Sequence, residues 1–149
     1  MKPRILIGIV IVALLAVFVS FVYYTYSQPQ TEQIEFDGVT LTVELATTPA
    51  AQQQGLSDRD SMPLDHGMLF IFGQQAEWGF WMHEMMFPLD IIWFNSSRRV
   101  VFIEQNLAPC TPASCPVYVP STNAMYVLEV NAGFVASHGV KLGDTFSFV

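Results

Sequence analysis

An apolar run without a single charge, residues 5–26, most strongly limits what this chain can fold into. A helix rises about 1.5 Å per residue, so about 20 apolar residues span the roughly 30 Å hydrocarbon layer of a membrane. The rival interpretation is a cleaved signal peptide, whose apolar core is normally shorter, roughly 7–15 residues. The only candidate cleavage site, after residues 25–27, is also weak. A buried helix in a globular core is the third interpretation, and it is disfavoured because the run has no polar face. We therefore predict that residues 1–26 form an uncleaved signal anchor with one transmembrane helix.

The flanks of the apolar run predict its orientation. Lys2 and Arg4 precede it, and an excess of basic residues marks the cytoplasmic end of a membrane helix. Aromatic rings that favour the membrane interface cluster at its far end: Tyr23, Tyr24 and Tyr26. We expect membrane contact through residues 5–26, a cytoplasmic N-terminus, and the rest of the chain outside the cytoplasm, in the periplasm or the extracellular space.

Charge is distributed unevenly along the chain. Thirteen residues are Asp or Glu and six are Lys or Arg. Two of the six basic residues precede the apolar run, so the remainder of the chain carries four basic residues against all thirteen acids. Such a surface repels phosphate backbones, and no nucleic-acid partner is expected.

After the apolar run, the chain divides into a tether and one domain. Residues 27–33, SQPQTEQ, are polar, contain Pro29 and show no periodicity, which is typical of a linker. Residues 34–149 are long enough to enclose one modest core, and they contain no internal repeat. We predict a single extracytoplasmic domain over this range.

Strand patterns dominate residues 34–149. Asp37 and Gly38 form a tight-turn pair between two runs of strand residues, which predicts a β-hairpin. Residues 67–72 form a continuous apolar run, typical of a strand buried on both faces. Further strands are predicted over residues 80–82, 89–94, 99–104 and 124–130, and residues 142–149 are expected to form a turn at Gly143 and Asp144 and then a last strand.

Two short helices interrupt these strands. Thr47 or Thr48 is placed to cap a helix that begins with Pro49 and ends at Gly55. A second helix is expected after residues 131–133, ending near His138 and Gly139. The pattern predicts an α+β, mainly β fold: an antiparallel β-barrel or sandwich with two short helices, preceded by the N-terminal transmembrane helix.

Six sequence blocks follow one another in a recognisable order: GLSDR (55–59), GMLFIF (67–72), FWM (80–82), FPLDIIW (87–93), VLEVNAG (127–133) and HGVKLGD (138–144). In these blocks the chain resembles the domain-of-unknown-function family 192, over about residues 42–148 and not over the apolar run. The resemblance implies a small, compact, β-rich domain, often secreted or anchored to a membrane, and no established activity. Many members carry Lys-Asn-Thr after the Met of the third block, where this chain has His83, Glu84 and Met85. A role tied to that amide and hydroxyl is therefore not implied here.

Three carboxylates lie among apolar neighbours and are candidate catalytic groups: Asp90, Glu104 and Glu129. An acid in apolar surroundings has a raised pKa, which is how general acids are made. If Asp90 met Glu129 or Glu104 across the barrel, the two acids would form the acid–base pair of a hydrolase.

The same acids have a structural interpretation. Asp90 can bind backbone amides that follow Pro88, and Glu129 can pair with Arg59 or Lys141. A guanidinium is a common partner for a buried carboxylate. We rank this interpretation above the catalytic one.

Soft metal ligands cluster at Met82, His83, Met85 and Met86. Thioether and imidazole groups suit copper. In a strand, however, Met82 and Met86 would lie on one face and His83 and Met85 on the other, so a site would need further ligands such as Met62, His66 or Met68. The favoured interpretation is that Met82 and Met86 fill the core while His83 and Glu84 lie in a solvated loop. Neither HExxH nor a pair of CxxC motifs is present, and no cofactor is expected.

Cys110 and Cys115 are the only cysteines. Outside the cytoplasm they are expected to form a disulfide. Their spacing is not CxxC, and no basic residue lies nearby to stabilise a thiolate, so a redox role is disfavoured.

Aromatic residues with a few acids are the usual lining of a pocket for a sugar, a peptide or an envelope component. The candidate walls are Trp78, Trp81, Trp93 and Tyr118, and the candidate ligand-binding residues are Trp81, His83, Asp90, Arg59 and Tyr118. Because no nucleophile, metal set or cofactor motif is complete, we predict a non-catalytic binding or interaction module for an envelope glycan or protein. The alternatives are the carboxylate-based hydrolase and, ranked last, the copper-binding protein.

Overall fold

The computed structural model describes residues 3–27, 29–111 and 113–149. The chain divides into two compact units, Met1–Gln30 and Thr31–Val149. The first contains helix α1, Pro3–Ser27, whose side chains are described for residues 10–22. Most of the described side chains of α1 are large, apolar and exposed. Among the residues that the structure describes, no helix combines the length and apolar character needed to cross a membrane.

Several residues behind the anchor and tether predictions lie outside this description. Lys2 and Gln28 are not among the described residues. The side chains that were expected to orient α1 are likewise not described: Arg4, Tyr23, Tyr24 and Tyr26. The anchor, its orientation and the tether therefore stay predictions.

The second unit is mainly β. Its described residues form a seven-stranded sheet in the order β5-β4-β6-β3-β2-β1-β7. The strands are β1 (Thr31–Phe36), β2 (Val39–Ala46), β3 (His66–Ala76), β4 (Leu89–Phe94), β5 (Val100–Leu107), β6 (Ala124–Asn131) and β7 (Phe146–Phe148). The helices are α2 (Pro49–Gln54) and α3 (Phe134–His138).

The sheet curls into a half-barrel, so that its two edge strands approach at one corner. Val100, at the start of β5, donates its N–H to the carbonyl of Asp144 at 2.8 Å, and its own carbonyl accepts from Gly143 at 3.0 Å. Arg99 and Thr145 form a bridge beside these bonds. The prediction of a β-rich body with two short helices is confirmed in this form.

One strand pair corrects the prediction of an antiparallel body. β2 and β3 run parallel, from Thr42 opposite His66 to Ala46 opposite Phe70. Parallel neighbours need a crossover connection rather than a tight turn. Residues 47–65, which include α2, supply that crossover. They return the chain to the end of the sheet at which β2 begins, so that β3 starts beside it.

Local turn and cap predictions match the structure. Asp37 and Gly38 both adopt positive φ, 52° and 78°, as a two-residue hairpin turn requires, and they join β1 to β2. The hydroxyl of Thr48 accepts a hydrogen bond from the N–H of Ala51 at 3.2 Å and caps α2. β1 begins at Thr31, within the range assigned to the tether, because its pairing with β2 extends to Glu44.

The predicted strand over residues 80–82 is wrong. Phe80 makes a single bridge to Tyr118, with backbone bonds of 2.9 and 2.7 Å, and the chain then turns. Glu84 adopts a left-handed φ of 56°, and the N–H of Met85 bonds to the carbonyl of Met82 at 3.4 Å. A turn brings residues i and i+3 together, so Met82 and Met85 both enter the core while Met86 is 59% exposed. The prediction that Met82 and Met86 share one face and both fill the core is therefore wrong for Met86.

Two apolar cores lie on opposite faces of the sheet, and β4 supplies both. Ile92 and Phe94 face the first core, with α3 and β7. Ile91 and Trp93 face the second core, which contains buried residues of β3, β6 and the loop after Phe80. All six residues of β4 are buried, which its apolar sequence reflects.

The predicted disulfide is present between Cys110 and Cys115. It lies in the connection between β5 and β6, next to the second core, where Cys110 donates its N–H to the carbonyl of Met82 at 3.2 Å. The connection is thus joined to the turn that buries Met82.

Candidate ligand-binding site

A cleft with a cavity volume of about 140 Å³ opens over the second core. We call it the aromatic cleft. Residues 52–57, from α2 and the turn after it, form one side, and residues 78–81 form the other. The lining is Gln52, Gln53, Gln54, Gly55, Leu56, Ser57, Phe70, Phe72, Trp78, Gly79, Phe80, Trp81, Met85 and Glu129.

Ring packing fixes the aromatic walls. Phe72 and Trp78 stack with ring centroids 4.0 Å apart, and Phe80 meets Phe70 edge-to-face at 4.8 Å. Beneath them, the indole N–H of the fully buried Trp93 donates to the carbonyl of Trp78 at 2.9 Å. Such contacts hold the rings in defined orientations, so the walls are preformed. Trp81 stands at the rim and is half-exposed.

Glu129 lies at the base of the aromatic cleft. It is in β6, opposite Met68 of β3 and Ile91 of β4, and only 5% of its surface is exposed. Among the described residues, none offers a hydrogen bond to its buried Oε2 atom. Burial raises the pKa of the Glu129 carboxyl to about 8, an effect that the positive charge of Arg59 partly opposes. The carboxyl is therefore mostly protonated at pH 7.

Arg59 does not pair with Glu129, contrary to the structural interpretation of the sequence. Its Nη1 and Nη2 atoms bind Oε1 and Oε2 of Glu44 at 2.5 and 2.8 Å. This two-pronged bond lowers the pKa of Glu44 and raises that of Arg59. Glu44 is only partly buried and therefore gives up less hydration on pairing than Glu129 would. Lys141 was the other proposed partner of Glu129. Its Nζ atom instead lies 3.3 Å from Oδ1 of Asp144.

Gly55 keeps the cleft open above the carboxyl. It ends α2 with a left-handed φ of 52°. A β-carbon at this position would lie 3.5 Å from Cζ of Phe70 and 3.9 Å from Oε2 of Glu129. Any larger side chain would extend into the cleft beside the unpaired oxygen.

A second, more polar depression adjoins the aromatic cleft. We call it the outer groove; its volume is about 380 Å³, and it is lined by Ala50, Gln53, Gln54, Ser57, Trp81, His83 and Glu84. Four residues line both spaces: Gln53, Gln54, Ser57 and Trp81. Ser57 donates its hydroxyl to the carbonyl of His83 at 3.1 Å, which holds the turn against the end of α2. One ligand can therefore contact both spaces across Trp81.

Asp90 is fully buried on the other face of the sheet, where both of its oxygens have partners. Oδ1 accepts from the N–H of Asn106 at 2.8 Å, and Oδ2 accepts from the N–H of Val135 at 2.8 Å. The carboxylate does bind backbone amides, but they come from β5 and α3 rather than from the residues after Pro88. Asp90 thus ties two distant segments to β4.

The structure does not bring the proposed acid pairs together. Asp90 is opposite Val130 in the sheet, so the neighbouring Glu129 points to the opposite face. Glu104 is opposite Ile91, on the face away from Asp90, and it does not line the aromatic cleft. Alternation along strands, which the sequence shows, could not by itself indicate which strands are neighbours or in what register.

The four proposed copper ligands also separate. Met82 and Met85 are buried in the second core, Met86 is exposed, and His83 lies in the outer groove, 3.6 Å from an oxygen of Glu84. Within residues 3–27, 29–111 and 113–149, no three His, Cys, Asp or Glu side chains are grouped to hold a metal ion.

Of the predicted ligand-binding residues, Trp81 lines both spaces and His83 lines the outer groove. Tyr118 packs against the second core and pairs through its backbone with Phe80, while Arg59 and Asp90 line neither space. Sequence reasoning missed Gly55 and the glutamines of α2. Three consecutive glutamines before a helix-ending glycine were the available signal, but only the crossover between β2 and β3 places them over Glu129.

The fold and the site define a compact, mainly β half-barrel with an aromatic cleft above a buried carboxyl. Residues 32–148 match the DUF192 family, described as uncharacterized ACR. The chain belongs to this family.

Curated relatives carry no more specific description. The chain is 29% identical over 108 residues to a UPF0127 protein of Thermococcus gammatolerans, covering 71% of this chain and 65% of the relative. It is 29% identical over 87 residues to a UPF0127 protein of Thermococcus kodakarensis, covering 57% and 52%. The chain thus spans less than two thirds of the length of either relative.

Two crystal structures share the fold. One, from Sinorhizobium meliloti 1021, is described as a candidate transcription regulator; it is 35% identical, with a TM-score of 0.75 over 81% of this chain and 95% of that one. The other, a protein of unknown function from Novosphingobium aromaticivorans, is 31% identical, with a TM-score of 0.74 over 81% and 87%.

Proposed function

We propose that this chain is a membrane-tethered, extracytoplasmic binding module that takes the end group of a cell-envelope ligand into the aromatic cleft. The observation that carries the proposal is the buried, unpartnered Oε2 atom of Glu129 at the base of that cleft. A buried polar group without a hydrogen bond costs free energy of folding. A ligand that enters the cleft would supply the missing partner.

The two buried acids of the domain support this proposal by their contrast. Asp90 is fully buried, has a backbone N–H for each oxygen and lines neither the aromatic cleft nor the outer groove, which is the arrangement of a structural carboxylate. Glu129 leaves its buried Oε2 atom without a hydrogen bond, and the residue lines the aromatic cleft. The difference favours a scaffold role for Asp90 and a ligand-contacting role for Glu129.

The sizes of the two spaces indicate how a ligand would lie. A cavity of about 140 Å³ holds a group comparable to a benzene ring, whereas complete ligand pockets commonly measure roughly 300–1,000 Å³. The outer groove adds about 380 Å³ and shares Trp81 with the aromatic cleft. A ligand of envelope size would therefore insert one end group and rest its remainder along the outer groove.

Sequence features support the tether and the compartment. The uncharged run of residues 5–26 is of membrane-spanning length, and Lys2 and Arg4 precede it, which favours a cytoplasmic N-terminus. Exposed apolar side chains within residues 10–21 agree with a lipid environment. A disulfide is most stable outside the cytoplasm. The four basic residues after the run argue against DNA as a partner, so the description of the Sinorhizobium protein is not extended to this chain.

An enzyme that uses Glu129 is the second candidate. A carboxyl with its pKa raised to about 8 is protonated at neutral pH and suited to donate a proton. The hydrolase alternative also needs a second carboxylate, and neither Asp90 nor Glu104 lines the aromatic cleft. Binding is therefore preferred to catalysis, and copper binding by the separated methionines and His83 ranks last.

The test uses the full chain in an uncharged detergent with a panel of envelope glycans and peptides. Thermal unfolding would be followed for the wild type, for Glu129→Gln, and for Glu104→Gln as a matched control outside the cleft. We expect a ligand that raises the unfolding midpoint of the wild type and of Glu104→Gln but not that of Glu129→Gln. A ligand that raises all three midpoints equally would overturn the assignment to the aromatic cleft. If the wild type chemically converts the ligand and Glu129→Gln does not, the enzyme would be established instead of the binding module.

The tether has its own test. After expression of the full chain, membranes would be washed with alkaline carbonate, and the accessibility of the domain to external protease would be measured in spheroplasts. We expect the full chain to stay in the membrane pellet and to be cleaved from outside, whereas a variant that lacks residues 5–26 should remain in the soluble fraction. Release of the full chain by carbonate would overturn the anchor.

A further inference from the structure

The aromatic cleft combines a buried acid with aromatic side chains, and none of its lining residues that the structure describes is basic. We infer that the end group it binds is an organic cation, an alkylammonium on an apolar stem, with the ammonium at the carboxyl group of Glu129 and the stem between Trp78, Phe80 and Trp81. The inference rests on the proposed function and specifies its ligand class.

The charges around the cleft favour a cation over an anion. Glu129 is the one charged or ionisable residue among its described lining residues. The positive charge of Arg59 lowers the pKa of Glu129, but Glu44 binds both terminal nitrogens of that arginine. No positive group is thus free in the described lining to receive an anionic end group. The excess of acids over bases in the domain also attracts cations.

The aromatic walls favour an ammonium on an apolar stem over a small polar molecule. Ring faces carry negative quadrupole charge and attract ammonium groups within about 6 Å. Phe80 and Trp78 are held by neighbouring rings, and Trp81 stands half-exposed at the rim. A cavity of about 140 Å³ accommodates a short alkyl chain, which gains from burial against these rings.

Binding of a cation would release a proton from Glu129. Burial raises the pKa of the Glu129 carboxyl to about 8. At pH 7 an ammonium that binds would therefore replace the carboxyl proton. That proton passes to solvent as the carboxylate forms. The other charged groups near the cleft are the Arg59–Glu44 pair and, in the outer groove, His83 and Glu84. If the cation binds only the carboxylate, its apparent affinity rises about tenfold per pH unit up to pH 8 and then levels.

The experiment titrates the full chain, in an uncharged detergent, with n-butylammonium, n-butanol and butyrate at pH 6, 7 and 8. A primary amine remains charged over this range because its pKa is near 10.4. Indole ¹H–¹⁵N resonances of Trp78 and Trp81 report occupancy of the cleft. We expect n-butylammonium to bind with an affinity that rises at least tenfold from pH 6 to pH 8, and n-butanol and butyrate to bind at least tenfold more weakly at pH 8.

Two variants separate the inference from the proposed function. Glu129→Gln should abolish the pH dependence and weaken the binding of n-butylammonium at least tenfold at pH 8. Glu104→Gln, outside both spaces, should keep the wild-type affinity and its pH dependence. If n-butanol binds as well as n-butylammonium at pH 8 and shifts the same indoles, the cation inference is overturned and the cleft remains a binding site. If butyrate binds best, the inference is likewise overturned. If none of the three probes shifts either indole, the cation inference and the assignment of the aromatic cleft are both overturned.

Discussion

Asp90 and Glu129 lie on adjacent strands, one residue out of register, and their carboxyl groups point to opposite faces of the sheet. Asp90 is opposite Val130 in the pairing of β4 with β6, and Glu129 is opposite Ile91. The first carboxylate binds two backbone N–H groups, while the second leaves Oε2 unpaired in a cleft. Because successive residues of a strand point to opposite faces, this difference of one residue places Asp90 in the scaffold and Glu129 at the candidate site.

Replacing Asp90 by Asn should destabilise the domain strongly. The amide loses the negative charge that two backbone N–H groups bind, and its NH₂ group must face one of those donors. Hydrogen bonds to a charged group contribute about 1.5–3 kcal/mol each, so we expect a loss of about 2–4 kcal/mol in the free energy of unfolding. Urea unfolding at pH 7 measures it. A change below about 0.5 kcal/mol would contradict the structural role.

The stability of the wild type should fall as pH rises from about 5 to 8. The folded state raises the pKa of Glu129 from 4.5 to about 8, so in this window the folded state holds a proton that the unfolded state has lost. Stability from this group is complete below the unfolded pKa and is lost as pH rises through the folded pKa. We expect a slope of roughly 1 kcal/mol per pH unit in urea unfolding. A flat profile over this window would show that the carboxyl is not held protonated.

Replacing Glu129 by Leu should stabilise the domain and remove that slope. Leucine has a similar size and no buried oxygen without a partner, and the adjoining second core is apolar. Removing an unsatisfied buried polar group is expected to contribute about 1–3 kcal/mol at pH 7. Chemical unfolding at pH 5 and pH 8 provides the measurement, with Glu104→Leu as the control at a partly exposed position. Marked destabilisation of Glu129→Leu would mean that the carboxyl has a structural partner.

Replacing Arg59 by Met should raise the pKa of Glu129 further while costing little stability. Arg59 lowers the pKa of the Glu129 carboxyl by charge attraction, and its removal leaves the effect of burial unopposed. The Arg59–Glu44 pair is partly exposed, so its loss should cost below about 1 kcal/mol. Titration of the Glu129 side-chain carboxyl by ¹³C NMR measures the pKa, with Lys141→Met as a control that breaks a different surface pair. An unchanged pKa in Arg59→Met would contradict the coupling.

Removing the disulfide should lower stability moderately. Cys110 and Cys115 close a short loop, for which the chain-entropy model gives about 2 kcal/mol. We expect a loss of about that size in the double variant Cys110→Ser/Cys115→Ser. Urea unfolding would be compared with that of the reduced wild type, which should show the same loss. A loss in the double variant that reduction does not reproduce would indicate that the serines, rather than the missing bond, cause it.

Local features of the fold could be predicted from local sequence. The Asp37-Gly38 hairpin, the Thr48 cap with Pro49, and the span of β4 all depend on residues a few positions apart. The strand predicted over residues 80–82 is wrong because Phe80 pairs with Tyr118, far along the chain, and Glu84 turns the backbone. The parallel pairing of β2 with β3 also escaped prediction, because it depends on where the crossover returns.

The candidate site could be predicted only in part. Trp81 and His83 were singled out by composition, and the structure places both beside α2. Glu129 was singled out as an acid among apolar residues, but its expected partners, Arg59 and Lys141, pair elsewhere. The three glutamines before Gly55 were a visible pattern, but their proximity to Glu129 arises from packing between distant segments and could not be predicted from it.

The sequence by itself determined the strand-rich composition, the turns and caps, the disulfide and the acidic surface, because each depends on residue type or on neighbours in the chain. Only the tertiary structure decided which buried acid is satisfied. The partners of Asp90 come from Asn106 and Val135, and the walls above Glu129 come from α2 and the loop after β3. A carboxyl group's partners are set by the register of strands and the path of crossovers. Residues distant in sequence therefore supply both hydrogen bonds of Asp90, whereas no described residue supplies one to Oε2 of Glu129.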